Sequence, residues 1–319
     1  MKKFITIILS IITALSVTLL TTACNKKQVI GIIQFGSHDS LNNCYNGIIK
    51  GLEESGINLD DYKVEYVNSN FDASVSKAQA EKMVNEGAKV IIAIATPSAI
   101  QAATAAATKN LPVVYCAVTD AKQVANFSNM TGTSDIPDFN AQLKLVSEFL
   151  GKKNVKIGIL SSTEESSDAA QITAIKAAAT NYDGMEIVVE TIPDITTIDT
   201  HVQKLISAKV DCMVNLLDNT VVGKLQNILT ITDNAKIPVF GSEIEQVKAG
   251  CLASASIEYV TVGKLCGKQA AEILNGKSVG EVKPLTMENE TFNCYNSEVM
   301  KALNLTLPAS LSDLLDVKA

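Results

Sequence analysis

Short apolar, β-rich segments alternate along this chain with stretches whose apolar residues recur at helical spacing. That alternation predicts an α/β fold with parallel strands. In a first series, 29–35 reads as a strand. Leu41, Cys44, Tyr45, Ile48, Ile49 and Leu52 then fall on one helix face. Strand 64–67, a helix near 74–85, strand 90–95, an Ala-rich helix over 98–108 and strand 113–118 complete that series. A helix at about 138–150 opens a second one, in which strands 155–160, 186–190, 210–217 and 238–240 alternate with helices 166–180, 197–207, 220–230 and 243–249.

After a strand at 251–256, a helix over 260–275 and a polar β-like stretch near 285–294 are expected to return to the first half and cross again. The pattern therefore predicts two Rossmann-like lobes with parallel sheets, joined by a hinge of three crossings near 133–137, 256–259 and 284–291. One lobe is expected over 29–132 plus about 257–284, the other over 133–256 plus about 285–319. No low-complexity linker separates them, so they should move as rigid bodies.

The N-terminus is organised differently. Met1-Lys2-Lys3 precedes an apolar run from Phe4 to Leu20 and then Thr21-Thr22-Ala23-Cys24, which reads as a signal peptide over 1–23. A membrane span is the rival reading, but the run is no longer than the minimum of roughly 17 residues and stops at small polar residues. The residues around Cys24 resemble a bacterial lipobox, which implies that Cys24 is lipidated and that 24–28 form a short tether. Thr21 occupies the slot where that pattern usually has Leu.

Charge narrows the partners. Without Lys2 and Lys3, 25 of the 27 basic residues face 34 acidic ones, a formal charge of −9, which argues against nucleic acid. Every basic residue is Lys and Trp is absent, so no Arg fork can hold a ligand carboxylate. Besides Cys24, the cysteines are Cys44, Cys116, Cys212, Cys251, Cys266 and Cys294. With no C-x-x-C and only two His, zinc is disfavoured. Most of these Cys sit in apolar patterns, so buried free thiols are expected.

Ligands of open α/β sheets bind beyond the carboxyl ends of the strands. In the first half these ends carry Gln34, Phe35, Ser37 and His38, then Thr96, Pro97 and Ser98, then Thr119 and Asp120. The second half offers Glu164, Ser166 and Ser167, then Asp218, Asn219 and Thr220, then Ser242 and Glu243. A Ser, Thr or Asp after a strand is also an ordinary N-cap, so any one cluster reads as capping or as binding. Their convergence from both halves points to a shared cleft, where helix N-termini attract an anion without Arg.

The stretches GIIQFGSHDSL, GIIKGLEESG, IIAIATPSAIQAA, VVYCAVTDA, MTGTSDI, GILSSTEESS, LLDNTVVG and IPVFGSEIEQVKAGCLA resemble the ABC transporter substrate-binding family that includes tryptophan- and tyrosine-binding lipoproteins. The resemblance spans Val29 to about Leu303. It implies a type I periplasmic-binding-protein fold, an L-amino acid, commonly aromatic, as ligand, with a non-aromatic amino acid as the alternative, ABC permease and ATPase subunits as partners, and a monomer anchored outside the cell membrane. Carried over by position, the site comprises His38, Thr96, Ser98, Thr119, Asp120, Ser134, Asp135, Glu164, Ser166, Ser167, Asp218, Asn219, Thr220, Ser242 and Glu243. Ala121, Leu217 and Glu243 depart from the family's usual Pro, Thr and Asp.

A zwitterion needs donors for its carboxylate and an acid for its ammonium. Thr96, Ser98 and backbone N–H groups fit the first need, and Asp218, with Asp135, Glu164 or Glu243, the second. Phe35, Tyr115, Phe240 and Tyr259 are candidates to pack on a ring or simply to fill the core. His201 is expected on a surface helix without a role. No fingerprint of an enzyme or cofactor site occurs, so no catalysis and no cofactor are expected. The same fold also serves sugar receptors, against which the missing Trp and Arg count, and a surface adhesin or sensor role is compatible with transport.

Overall fold

In β1 (Gln28–Gln34), Ile30 and Ile32 enter one hydrophobic layer while Val29 and Ile33 enter the other. This is the two-residue period of a strand buried on both faces. Val90, Ile92 and Ile94 against Ile91 and Ala93, farther along the chain, divide in the same way. The structure is a computed structural model describing residues 27–287 and 292–318. Cys24, the apolar run before it and residues 288–291 of the third expected crossing lie outside the described residues.

In chain order β1 is followed by α1 (Asp39–Glu54), β2 (Tyr62–Asn68), α2 (Ala73–Glu86), β3 (Val90–Ile94), α3 (Thr96–Ala107), β4 (Val113–Cys116) and β5 (Met130–Ser134). The next elements are α4 (Phe139–Leu150), β6 (Lys156–Ser162), α5 (Asp168–Ala179), β7 (Glu186–Ile192), α6 (Ile198–Ser207) and β8 (Cys212–Val214). Then come α7 (Asn219–Val222), α8 (Leu225–Ala235), β9 (Val239–Phe240), α9 (Ile244–Ala249), β10 (Ala253–Ser256) and α10 (Tyr259–Leu274). The last are β11 (Leu285–Thr286), β12 (Phe292–Tyr295), α11 (Ser297–Ala302) and β13 (Leu315–Asp316).

One sheet runs β11-β5-β4-β3-β1-β2 and a second β7-β6-β8-β9, every pair parallel. The order β2-β1-β3-β4 recurs as β7-β6-β8-β9, so the two lobes share one winding. A third sheet, β10-β12-β13, continues the second, because Leu252 N–H donates to Val239 O at 2.7 Å and Gly241 N–H to Ala253 O at 3.0 Å. The chain leaves the first lobe after β5, returns between β10 and α10, and leaves again between β11 and β12. Thr133, Ser134 and Leu285–Thr286 pair within the first sheet, so divisions at 132 and 284 fall inside β5 and just before β11.

Local departures from the expected pattern have physical causes. β8 is shorter than 210–217 because Leu217 N–H turns away to Gln171 Oε1 at 2.9 Å. The helix expected over 220–230 is two helices, broken where the Gly223 and Lys224 N–H groups close the first turn on Asn219 and Val221. β5, small and polar in sequence, is buried between β4 and β11. His201 is buried, not on the surface, with Nδ1 3.1 Å from Glu190 Oε2. The six described Cys are free and buried.

The helices α1 and α10 touch backbone to backbone. A Cβ on Gly47 would stand 2.9 Å from the Gly263 Cα, and one on Gly51 3.0 Å from the Gly267 Cα. Each would also strike a carbonyl oxygen of the facing helix. A backbone clash has no rotamer to escape into, so Gly263→Ala should lower stability by about 2–3 kcal/mol, the upper part of the range for overpacking. Gly280→Ala, with nothing within 4 Å of its added carbon, should stay near the wild type. Urea unfolding midpoints of both variants check this.

Candidate functional site

The segments following β1, β4, β5, β8 and β9 meet around one cavity. His38, Ser40 and Leu41 line it with Ala117, Thr119 and Asp135, and Leu217, Asn219, Val222, Glu243, Gln246 and Tyr259 complete the wall. Its free volume is only about 20 Å³, room for about one water molecule, so the walls stand close together. The walls are mixed: Leu41, Ala117, Leu217 and Val222 are apolar, and the polar groups come from both lobes.

Asp135 dominates the first lobe's side. Its carboxylate is buried and accepts from Thr119 Oγ1 at 3.0 Å and Tyr259 Oη at 2.8 Å. No described cation pairs with it among the ion pairs of the chain. Burial therefore raises its pKa, against the help of the two hydroxyls. Strand ends shape this wall as well: Ala95 and Ala117 have φ of 77° and 56°, conformations that cost a non-glycine residue of order 1–3 kcal/mol and collect at functional sites.

Hydrogen bonds cross the cleft. His38 Nε2 lies 3.0 Å from Asn219 Oδ1, Asn43 Nδ2 donates to Glu245 Oε1 at 3.1 Å, and Gln123 Nε2 donates to the Ser166 carbonyl at 2.8 Å. Asn219 Nδ2 donates in turn to Glu165 Oε2 at 2.8 Å, and Ser167 Oγ to Glu165 Oε1 at 3.1 Å. Burial, reinforced by the Asp218 charge, pushes the Glu165 carboxyl up to about 7. Burial likewise lowers the His38 pKa, keeping the ring neutral.

Asp218, expected to hold a ligand ammonium, does something else. It is buried, does not line the cavity, and accepts from Thr220 N at 2.9 Å, Val221 N at 3.0 Å, Ser162 N at 2.7 Å and Ser162 Oγ at 3.1 Å. Those donors cap α7 and tie it to the end of β6. Glu243 lines the cavity but also caps α9, accepting from Glu245 N at 2.6 Å and Gln246 N at 3.0 Å. Burial raises it to about 7.

Other expected residues divide between support and periphery. Thr96 Oγ1 accepts from Thr119 N at 3.3 Å, which aligns the ends of β3 and β4. The Ser98 hydroxyl is bonded to Ser76 at 3.0 Å inside the lobe. Pro97 and Ser134 are buried, and Gln34 braces its own loop through Gly36 O and Asn42 Oδ1. Phe35 packs edge-on against Phe71 at 5.8 Å, Phe240 against Phe149 at 6.1 Å, and Tyr115 fills the core, so of the four aromatic candidates Tyr259 alone lines the cavity. Asp120 caps the turn after it, Ser242 Oγ donates to Leu216 O, and Thr220 and Glu164 border the outer rim. Ser37, Glu164 and Ser166 are exposed. The sequence reading passed over Glu165 and Asp168, buried acids in a Glu-Glu-Ser-Ser-Asp run whose exposed neighbours look identical.

Glu165 has a pH signature. Below about pH 4.5 its carboxyl is protonated in folded and unfolded chains alike. As the pH rises through about 7, the unfolded chain ionises freely while the folded one must bury the charge, so stability is lost. The unfolding free energy of Glu165→Gln relative to wild type should therefore rise by up to roughly 3 kcal/mol between pH 4.5 and 8, at about 1.4 kcal/mol per pKa unit. A difference that stays flat with pH in denaturant titrations would count against this.

Comparison with known proteins agrees with this architecture. The chain is 32% identical over 294 residues to a tyrosine-binding protein of Clostridioides difficile, covering 89% of this chain and 83% of that one. It superimposes with a TM-score of 0.83 on an ABC domain in complex with L-Trp from Streptococcus pneumonia, at 29% identity over 90% of this chain and 97% of that one. Against the ligand-free, open structure of a substrate binding protein with adhesive properties from Clostridium difficile, the TM-score is 0.67 at 28% identity, over 91% of this chain and 99% of that one. The family model for ABC transporter substrate binding proteins matches residues 29–316, and the chain belongs to that family, whose members bind solutes and do not transform them.

Proposed function

We propose that this protein is the lipid-anchored, extracytoplasmic receptor of an ABC importer, and that it binds an aromatic L-amino acid, tyrosine first, between its lobes. The observation that carries the ligand class is Asp135, a buried carboxylate at the cavity wall with hydroxyl partners and no cation. A buried charge without a counter-charge is costly. The ammonium of an amino acid removes that cost, and Asp135 takes the role first expected of Asp218.

The ligand's carboxylate is assigned to the first turn of α3, whose N-cap Ala95 supplies no side-chain hydrogen bond, which leaves the Thr96 and Ser98 N–H groups as its donors. Thr96 and Ser98 then act through their backbone N–H groups, their hydroxyls being engaged. Leu41, Ala117, Leu217, Val222 and Tyr259 give the ring an apolar enclosure. The tyrosine-binding relative and the L-Trp complex support the aromatic class. Contacts from both lobes make the loaded state distinct from the empty one, which a permease needs in order to recognise it. No described helix is long and apolar enough to cross a membrane; the lipid on Cys24 is the attachment we propose.

Removing one partner of a buried charged pair costs about 2–5 kcal/mol of binding. Asp135→Asn should therefore bind tyrosine at least about 30-fold more weakly, at tenfold per 1.4 kcal/mol, while melting no lower than wild type, since the amide oxygen accepts from one of the two hydroxyls, the amide nitrogen donates to the other once it turns, and a buried charge is removed. Calorimetry on both proteins tests this: equal affinities remove Asp135 from the site, and no heat with tyrosine, tryptophan or phenylalanine sinks the aromatic reading. For the anchor, Cys24→Ala should abolish fatty-acid labelling and release the protein from membranes. Persistent labelling would place the lipid elsewhere.

A further inference from the structure

The imidazole of His38 is held through one nitrogen. Asn219 connects it to Glu165: the amide Nδ2 donates to Glu165 Oε2 at 2.8 Å, which leaves Oδ1 facing His38 Nε2 at 3.0 Å. An amide oxygen only accepts, so Nε2 carries the ring proton and Nδ1 of the neutral ring is a bare acceptor. Glu165 is itself fixed by Ser167 Oγ at 3.1 Å, and Ser167 by Gln171 Nε2 at 3.2 Å. The direction of every hydrogen bond in this relay is thus set from α5 outward. Since His38 follows β1 and the rest of the relay belongs to the other lobe, the relay exists only with the lobes together.

His38 Nδ1 is buried and without a hydrogen-bond partner, although buried acceptors are nearly always satisfied. The ring lines the same cavity as Asp135. Asp135 follows β5 and His38 follows β1, with β4 and β3 between those strands, a separation of roughly 14 Å at about 4.8 Å per strand. For a ligand anchored by its ammonium at Asp135, His38 and Asn219 are the polar groups on the far side of that cavity available to its side chain.

We propose that His38 Nδ1 is the specificity-determining acceptor of the cleft, its tautomer fixed on closure by Asn219 and Glu165, and that it selects aromatic amino acids whose ring carries an O–H or N–H donor. This rests on the amino-acid reading above. A phenol or an indole satisfies the acceptor, whereas a bare phenyl ring leaves it buried and unpaired. Sites built to hydrogen-bond a substrate group discriminate strongly against the analogue that lacks it.

The test is calorimetry of the full mature chain with tyrosine, tryptophan and phenylalanine. Wild type should bind the first two at least about 10-fold more tightly than phenylalanine, and in His38→Leu the tyrosine-to-phenylalanine ratio should fall below about 3. A wild type that binds tyrosine and phenylalanine equally, or a variant that keeps the wild-type ratio, overturns the proposal while leaving the amino-acid reading intact. A wild type that binds none of the three overturns both. Nitrogen-15 NMR gives a readout that needs no variant, because the chain has only two His. Tyrosine-saturated protein should show His38 as the Nε2–H tautomer, and an Nδ1–H tautomer refutes the assignment.

Discussion

The contact between α1 and α10 is the constraint on which the cleft depends. Gly47 and Gly51 on one helix face Gly263 and Gly267 on the other so closely that carbonyl oxygens occupy the space where side chains would begin. Two helices that meet through their backbones have little freedom to slide. The N-terminal end of α1 carries Ser40 and Leu41 to the cavity, and that of α10 carries Tyr259. Tyr259 in turn aims Asp135 through its hydroxyl. The seam also fixes the return crossing, because α10 begins three residues after β10 ends.

Electrostatics supplies the complementary tension. Asp135, Glu165, Asp168 and Glu243 are all buried, and burial is the main reason each has a raised pKa. A chain without Arg, with its described Lys side chains at the surface, has no forked cation to place among them. The second lobe manages its acids with helix caps and amide donors: Asp218 closes α7, Glu243 closes α9, and Glu165 holds Asn219. The first lobe leaves Asp135 with hydroxyls alone, so the two walls of the cavity are unequal. One wall lacks a positive charge, and the other is already satisfied.

Few polar contacts hold the lobes together, and they are single hydrogen bonds between partly exposed groups, each worth about 1 kcal/mol net. Under the proposed function, a ligand touching both lobes would add to these bonds, and it shifts an equilibrium only by its differential contacts with the two states.

The sequence by itself determined the lobes' architecture. Two-residue alternation in β1 and β3 and helical spacing in α1 dictate which faces are buried, because burial of apolar side chains follows directly from their order along the chain. The turn segments beyond the strands were legible for the same reason, and of their residues the structure brings His38, Thr119, Asn219 and Glu243 to the cavity. What the sequence left undecided is which acid faces a ligand and which caps a helix. Asp218 and Asp135 both follow strands and read alike. Only tertiary structure brought four donors to the first and left the second with two hydroxyls. Glu165 was hidden among exposed neighbours, since burial of one carboxyl in an acidic run depends on where α5 starts. The roles of Ser98, directed inward to Ser76, and Phe240, packed on Phe149, likewise rest on partners more than 20 residues away. Hydrogen bonds and charges act through space over a few ångströms, and that proximity is a property of the fold that no local pattern encodes.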